Sequence, residues 1–272
     1  MKSSTLHTYF NIEMDKSIQG SYPSFLPEEI DYWLNSACMA IIKTRYSGLN
    51  IHSSSFQQTQ KRSDDLRFLV SERDYDVMIF SKTEDYYVGD MVYYEERYYQ
   101  CTEDAPKGDF LDSKFTNINS FGNGPSFDYP INYMIALGER VLIRQTATAA
   151  IEADGLPALR PADITEATIE NIDRKLSNVF SEHRMLYGKA NPLRVFSNNK
   201  IQLFTDESYS IARYSLIYLK MPNEISIDDD SDIEIFPEYM WSEVVVFAAK
   251  MALKNTADAR LNAYSVESQS IE

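Results

Sequence analysis

"YYVGDMVYYEERYYQCTED", residues 86–104, places six tyrosines among nineteen residues, beside glutamates, one arginine and one cysteine. Either these rings form an aromatic platform for a ligand, or they fill a pair of strands. The choice separates a binding module from a structural part. Val92 and Tyr94 alternate with Met91 and Tyr93, and Glu95, Glu96 and Arg97 then turn the chain into Tyr98, Tyr99 and Cys101. A period of two predicts a β-hairpin, here without the usual Asn-Gly turn. Alternation directs one set of tyrosines into a small core and the other outward, and exposed tyrosines are what protein interfaces favour. Tyr93, Tyr94, Tyr98 and Tyr99 are therefore the candidate contact residues.

Working outward, "YDVMIF" (75–80) begins the strand region, while 105–130 clusters Gly, Pro, Asn and Ser and is predicted to be a loop. Residues 84–128 thus read as a small all-β module inserted between 1–83 and 129–272 of a larger fold. The first third is predicted helical. Leu6, Tyr9, Phe10 and Met14 suggest a short amphipathic helix, and "LPEEIDYWLNSACMAIIKTRY" (26–46) a stronger one. In the latter, Ile30, Trp33, Leu34, Ala37, Cys38 and Ile41 share a face. Pro27 suits the first helical position, Glu28 and Glu29 complement the positive end of the dipole, and Gly48 marks the exit. A third helix is expected from Ser55, with Gln58 completing a capping box and a thin stripe at Phe56, Thr59, Ser63, Leu66 and Val70.

Beyond the insertion, a long strand region is expected from Ile131 to about Ala150, broken at Gly138. In "LRPADITEATIENIDRKLSNVFSEHRM" (159–185), Asp163 and Glu166 form a capping-box pattern. Ile169, Ile172, Leu176, Val179 and Phe180 make an apolar face, which predicts a long helix. Strands follow at "LRVFS", "KIQLF" and "YSIARYSLIYLKMP", the first two joined at Asn198-Asn199, because Asn tolerates positive φ. The last helix is expected from about Pro237 to Asn255, with Met240, Trp241, Val244, Val245, Ala248, Met251 and Ala252 on one face. Residues 257–272 are polar and read as an extended tail. The expected fold class is α+β: a helical bundle of N-terminal and C-terminal helices, a β-rich domain, and the inserted β module.

Composition excludes several functions. Acidic residues outnumber basic ones by 41 to 26, for a net charge of −15. That argues against tight phosphate binding, which needs Lys and Arg to displace counterions. It suits DNA that passes close by without adhering. Cys38 and Cys101 are the only cysteines, too few for a disulfide framework or a thiolate metal site. No stretch has the apolar length of a signal peptide or a membrane span.

Catalytic and metal patterns are not found in the sequence. His7, His52 and His183 stand at no ligand spacing, and surface or capping roles are expected for them. Asp228, Asp230 and Asp232 mimic the start of a calcium loop, but Ile233 occupies the required glycine position and Tyr239 that of the terminal glutamate. No phosphate-cradling glycine loop, nucleophile elbow or paired metalloprotease histidines appear. No catalytic, cofactor-binding or metal-binding residue is named, and no cofactor is expected.

Two resemblances add to this reading. "YVGDMVYYEERYYQCTEDAPKGDFLDSKFTNI" (87–118) is similar to the small three-stranded carbohydrate-binding modules of the chitin-binding type. Gly89, Asp90, Val92, Tyr94, Tyr99 and Cys101 match their frame. Those modules carry a tryptophan where this chain has Phe115, and usually stack exposed tryptophans on sugar rings. Here Trp33 and Trp241 fall on predicted helices elsewhere.

Outside that segment, four segments in order resemble head–tail connector ring proteins of crAss-like, short-tailed phages. They are "EEIDYWLNSACMAIIKTRYSG" with "FQQTQKRSDDLRFLV"; "NPLRVFSNNKIQLF"; "YSLIYLKMPNEI"; and "FPEYMWSEVVVFAAKMALKNTADARLNAY". The family resembles the adaptors beneath the portal of other podoviruses. The resemblance implies a non-enzymatic homo-oligomer, a twelvefold ring in the virion neck or tail, assembled in the host bacterial cytoplasm. Its implied partners are the portal protein and a neighbouring tail ring or hub protein, with genomic DNA passing through the channel without specific binding. No membrane is involved. The alternative is a carbohydrate- or protein-binding adaptor acting through the tyrosine-rich module.

Overall fold

A computed structural model describes residues 1–17, 25–47, 60–121, 123–145, 159–184, 189–229 and 232–255. The fold is mixed α+β, and the chain divides into two compact units, 1–70 with 220–272, and 71–219.

In the first unit, helices α1 (Ser3–Ser17), α2 (Pro27–Ser47) and α5 (Trp241–Asn255) pack together, with the short α3 (Gln60–Asp65) and a 3-10 turn at Glu238–Met240. The start of α2 follows from its sequence. Pro27 takes the first helical position, and the Glu29 carboxylate reaches back 2.9 Å to accept the Leu26 N–H. Its expected face is buried at Ile30, Leu34, Ala37, Cys38 and Ile41, with Ile42 added and Trp33 half-buried. Of the α1 stripe, Leu6, Phe10 and Met14 are buried, whereas Tyr9 faces out. On α5, Trp241, Val244, Val245, Ala248 and Ala252 are buried, as expected, and Met251 is half-buried. The proposed start of the third helix, Ser55 with Gln58, lies outside the described residues, as do Gly48 and the 257–272 tail. The helix ends at Asp65, so Val70 is not on its stripe; it opens a strand.

Polar side chains tie this unit across long sequence separations. His7 Nε2 lies 2.7 Å from Asp31 Oδ1, and Asp31 Oδ2 accepts the Ile227 N–H at 3.1 Å. The Asn35 side chain brackets Ile225, donating to its carbonyl and accepting from its N–H, each at 2.9 Å. Arg45 Nη2 donates to both carboxylate oxygens of Glu243, at 2.6 and 2.8 Å. Its Nε stands 3.2 Å from Asp65 Oδ2, an ion-pair distance without hydrogen-bond geometry. Tyr239 donates its phenol to Asp65 Oδ1 at 2.8 Å.

The second unit holds two sheets. One has the order β4-β3-β2-β1-β11-β6-β7, formed by β1 (Val70–Ile79), β2 (Met91–Tyr94), β3 (Arg97–Cys101), β4 (Phe115–Asn117), β6 (Tyr133–Gln145), β7 (Leu159–Ala162) and β11 (Tyr209–Lys220). The other has the order β5-β10-β9-β8, formed by β5 (Asn123–Asp128), β8 (Thr165–Glu166), β9 (Leu193–Ser197) and β10 (Lys200–Phe204). Both sheets contribute to one core, with Tyr75, Val141, Tyr214 and Leu216 from the first and Phe127, Ile201 and Leu203 from the second. The central β11 is buried along most of its length, which is why it reads as a nearly continuous apolar run. Gly124 is required where β5 crosses β10, because a Cβ there would sit 2.3 Å from the Leu203 carbonyl oxygen.

Several expectations are corrected. The 105–130 loop contains a 3-10 turn (Asp112–Lys114) and strands β4 and β5. Strand β6 runs through Gly138 without a break. The helix expected after residue 163 starts later and is shorter. Thr165–Glu166 pairs in parallel with Leu193–Arg194, and α4 is confined to Ile172–Ser177. Asp163 and Glu166 therefore form no capping box. Backbone pairing to β9 takes up residues 165–167 at the expected helix start, and that tertiary gain exceeds a weak helical preference. Of the supposed helical face only Ile172 and Leu176 pack inward, while Ile169, Val179 and Phe180 are exposed. Segment 84–128 lies within the second unit: β2 runs parallel to β1 with Val77 opposite Met91, and β5 pairs with β10 in the other sheet.

Candidate functional site

The tyrosine-rich stretch is a hairpin, with Val92 opposite Tyr99 and Tyr93 opposite Tyr98. Its turn residues, Glu95 and Glu96, both take positive φ (46° and 64°), which suits the twist of a two-residue hairpin turn. The pleat sends its side chains to two cores. On one face, Tyr98 is 1 % exposed, lies 4.8 Å from the Tyr93 ring, and accepts the Ile211 N–H on its phenol oxygen at 2.9 Å. On the other face, Val92, Cys101 and Phe115 form a second cluster with Phe80, Tyr99 and Phe110. Tyr94 stacks on Phe110 at 4.4 Å, and Tyr99 meets the same ring edge-on at 4.9 Å.

The expected outward set of tyrosines is thus covered by a small aromatic core of its own. Tyr98 offers no surface to a ligand, and Tyr93, Tyr94 and Tyr99 are half-buried among other rings. Of the six tyrosines only Tyr87 is exposed, at 64 %, beside Val88 at the same value. Sequence period alone did not single out Tyr87, because it precedes the first paired strand.

The Gly-Asp step has a structural explanation. Gly89 takes φ 101°, donates its N–H to the Cys101 carbonyl, and is followed by Asp90, whose carboxylate accepts the Tyr87 N–H at 2.8 Å. Asp104 accepts the Val88 N–H at 3.1 Å, and Asp85 the Lys107 N–H at 2.8 Å. These acids hold loop backbone that has no strand partner.

Two of the three histidines are buried, where surface or capping roles were expected. His7 pairs with Asp31, and His183 Nδ1 lies 3.0 Å from Ser181 Oγ. Burial, with the nearby Arg184 charge, pulls the His183 pKa down. His52 lies outside the described residues. Burial also pushes the Cys38 thiol up to about 12 and the Tyr75 phenol up to about 12, so neither ionises near neutral pH. Among the described residues, no group of three or more His, Cys, Asp or Glu is placed to hold a metal ion. No described helix is long and apolar enough to cross a membrane.

A buried polar cluster of the second unit centres on Arg194 of β9. Its Nε lies 2.9 Å from Glu139 Oε1 of β6, its Nη1 lies 3.2 Å from Glu166 Oε1, and its guanidinium covers the Phe196 ring at 3.8 Å. Burial raises the Glu139 pKa, with the arginine opposing. This ion pair joins one sheet to the other. A cleft of about 540 Å3 opens in the same unit, lined by Ile143, Arg160, Ala162, Asp163, Lys189 and Asn191. In comparisons with known proteins, no family model and no curated protein matches the chain.

Proposed function

We propose that this chain is a structural virion protein, one subunit of a ring in the phage neck or tail between portal and tail. The carrying observation is the ordered set of four segments, read with their places in the fold. The first and last supply α2 and α5, which pack on one another in the helical unit. "NPLRVFSNNKIQLF" forms the β9–β10 hairpin, and "YSLIYLKMPNEI" the end of the central strand β11. The helical unit keeps Leu26 and Tyr32 more than half exposed, with Tyr9 and Ile12 close to half, apolar surface that a neighbouring copy would cover. In this reading the copies close into a homo-oligomer of about twelve. The portal protein and a neighbouring tail ring or hub lie above and below, and DNA passes through without specific contact. A net charge of −15 disfavours adhesion to DNA during ejection.

Light scattering on the full chain at micromolar concentration tests this directly. A mass near twelve subunits supports the ring, and a stable monomer up to high concentration, absent from the purified neck, overturns it. A second reading is a carbohydrate- or protein-binding adaptor, favoured by the exposed Tyr87–Val88 pair. Binding to chitin oligomers or to a purified tail protein, lost in Tyr87→Ala, would support it.

A further inference from the structure

Among the charged side chains without an ion-pair partner in the described residues are two groups of opposite sign. Arg160 of β7 and Lys189, just ahead of β9, line the 540 Å3 cleft, and Ile143 and Ala190 are buried in its lining. Neither cationic side chain has a hydrogen-bond or salt-bridge partner among the described residues. Asp163 is the one acid among the described lining residues, which together carry a net positive charge in a strongly acidic chain, and Asn191 adds a neutral polar side chain. The opposite group is Asp228 and Asp229, at the head of the run "DDDSDIE" (228–234). Both are exposed, and their carboxylates have no partner among the described residues, whereas Asp232 lies 3.6 Å from the Met1 amine.

The backbone leading into Asp228 is held in place. Ile225 is bracketed by Asn35, Ile227 donates to Asp31, and the Asp228 N–H donates to Ser226 Oγ at 3.3 Å. The carboxylates of Asp228 and Asp229 thus follow an anchored backbone, so little ordering cost attends their docking. We propose that the Asp228–Asp229 loop of one copy docks into the Arg160–Lys189 cleft of the next copy. This rests on the ring reading above and names its subunit contact. Two different patches meeting head to tail make a heterologous interface, the kind that closes into a ring. Exposed charges of this sort set register and association rate more than strength, and salt screens them beyond about 8–10 Å.

The test is assembly of the full chain, followed by light scattering at 50 and 500 mM NaCl. Wild type should form rings, with a midpoint concentration that rises at the higher salt. Arg160→Glu with Lys189→Glu should raise the midpoint at low salt about tenfold or more. Asp228→Lys with Asp229→Lys should do the same, and the four substitutions together should restore it. Matching circular dichroism and thermal melts exclude misfolding at these exposed positions. Rings that form normally in both double variants overturn this contact and leave the ring reading standing. Weakened double variants without rescue by the quadruple variant also overturn it. A wild-type chain that stays monomeric overturns the ring reading and the contact together.

Discussion

The helical unit and the β-unit solve the same problem, fastening distant parts of a chain, with different side chains. The helical unit uses charge and amide clamps: Arg45 with Asp65 and Glu243, His7 with Asp31, Asn35 with Ile225. The β-unit uses rings. Tyr75, Phe127 and Tyr214 stack at 4.7 to 5.9 Å in its main core, and Phe80, Phe110 and Phe115 cluster in the smaller one. Helices meet at few points, so a directional clamp at each point fixes their register. Sheets already fix register through backbone pairing, so their faces need only volume and shape.

The sharpest way to break this comparison is at Arg45. Arg45→Ala leaves Asp65, fully buried, without its cation, and should cost about 3–5 kcal/mol in urea denaturation. A loss below about 1 kcal/mol would show that the clamp is incidental. The buried ion pair of the β-unit, Arg194 with Glu139, should behave differently when removed whole. Arg194→Met with Glu139→Leu is expected to lie between no change and a gain of about 4 kcal/mol, because apolar packing replaces two desolvated charges. The same site has a pH signature. Burial raises the Glu139 pKa above its ordinary 4.5, so the folded state holds that proton more readily than the unfolded chain. Its stabilising contribution is present at low pH and is lost as pH rises through the raised value. Denaturation midpoints measured upward from pH 4.5 should therefore fall in wild type and flatten in Glu139→Gln.

Smaller effects separate the hairpin tyrosines. Tyr98→Phe strands the Ile211 N–H and should cost about 1–3 kcal/mol, whereas Tyr87→Ala should stay within about 0.5 kcal/mol. Least of all, Glu95→Asn with Glu96→Gly should gain about 1 kcal/mol, since both positions hold positive φ that glutamate adopts reluctantly. Chemical denaturation of each variant checks all three.

What the sequence made legible follows from how local each signal is. Helices α2 and α5, the β9–β10 hairpin and the tyrosine hairpin carry their period and their turn residues within a few positions, and each formed where expected. Residues 163–180 misled because Ile169, Val179 and Phe180 imitate a helical stripe, while the deciding partner, Leu193–Arg194, lies far along the chain. The hairpin was legible as structure, but its second cover was not. Phe80, Phe110 and Phe115 are separated by loops, so no window of sequence shows that they converge on Tyr94 and Tyr99. The unpaired cations Arg160 and Lys189 likewise become neighbours only in the folded chain.

The division of the chain has a temporal consequence. Helices α1 and α2 find their main partner, α5, only after the whole of 71–219 has been made, and the Lys220 N–H then donates to the Leu69 carbonyl at 2.8 Å. At a synthesis rate of about 5–20 residues per second, the N-terminal helices wait roughly ten to forty seconds with Leu6, Phe10, Leu34 and Ile42 uncovered. A nascent chain of this kind is exposed to the holding chaperones of its cell, and its yield should depend on them more than its final stability does.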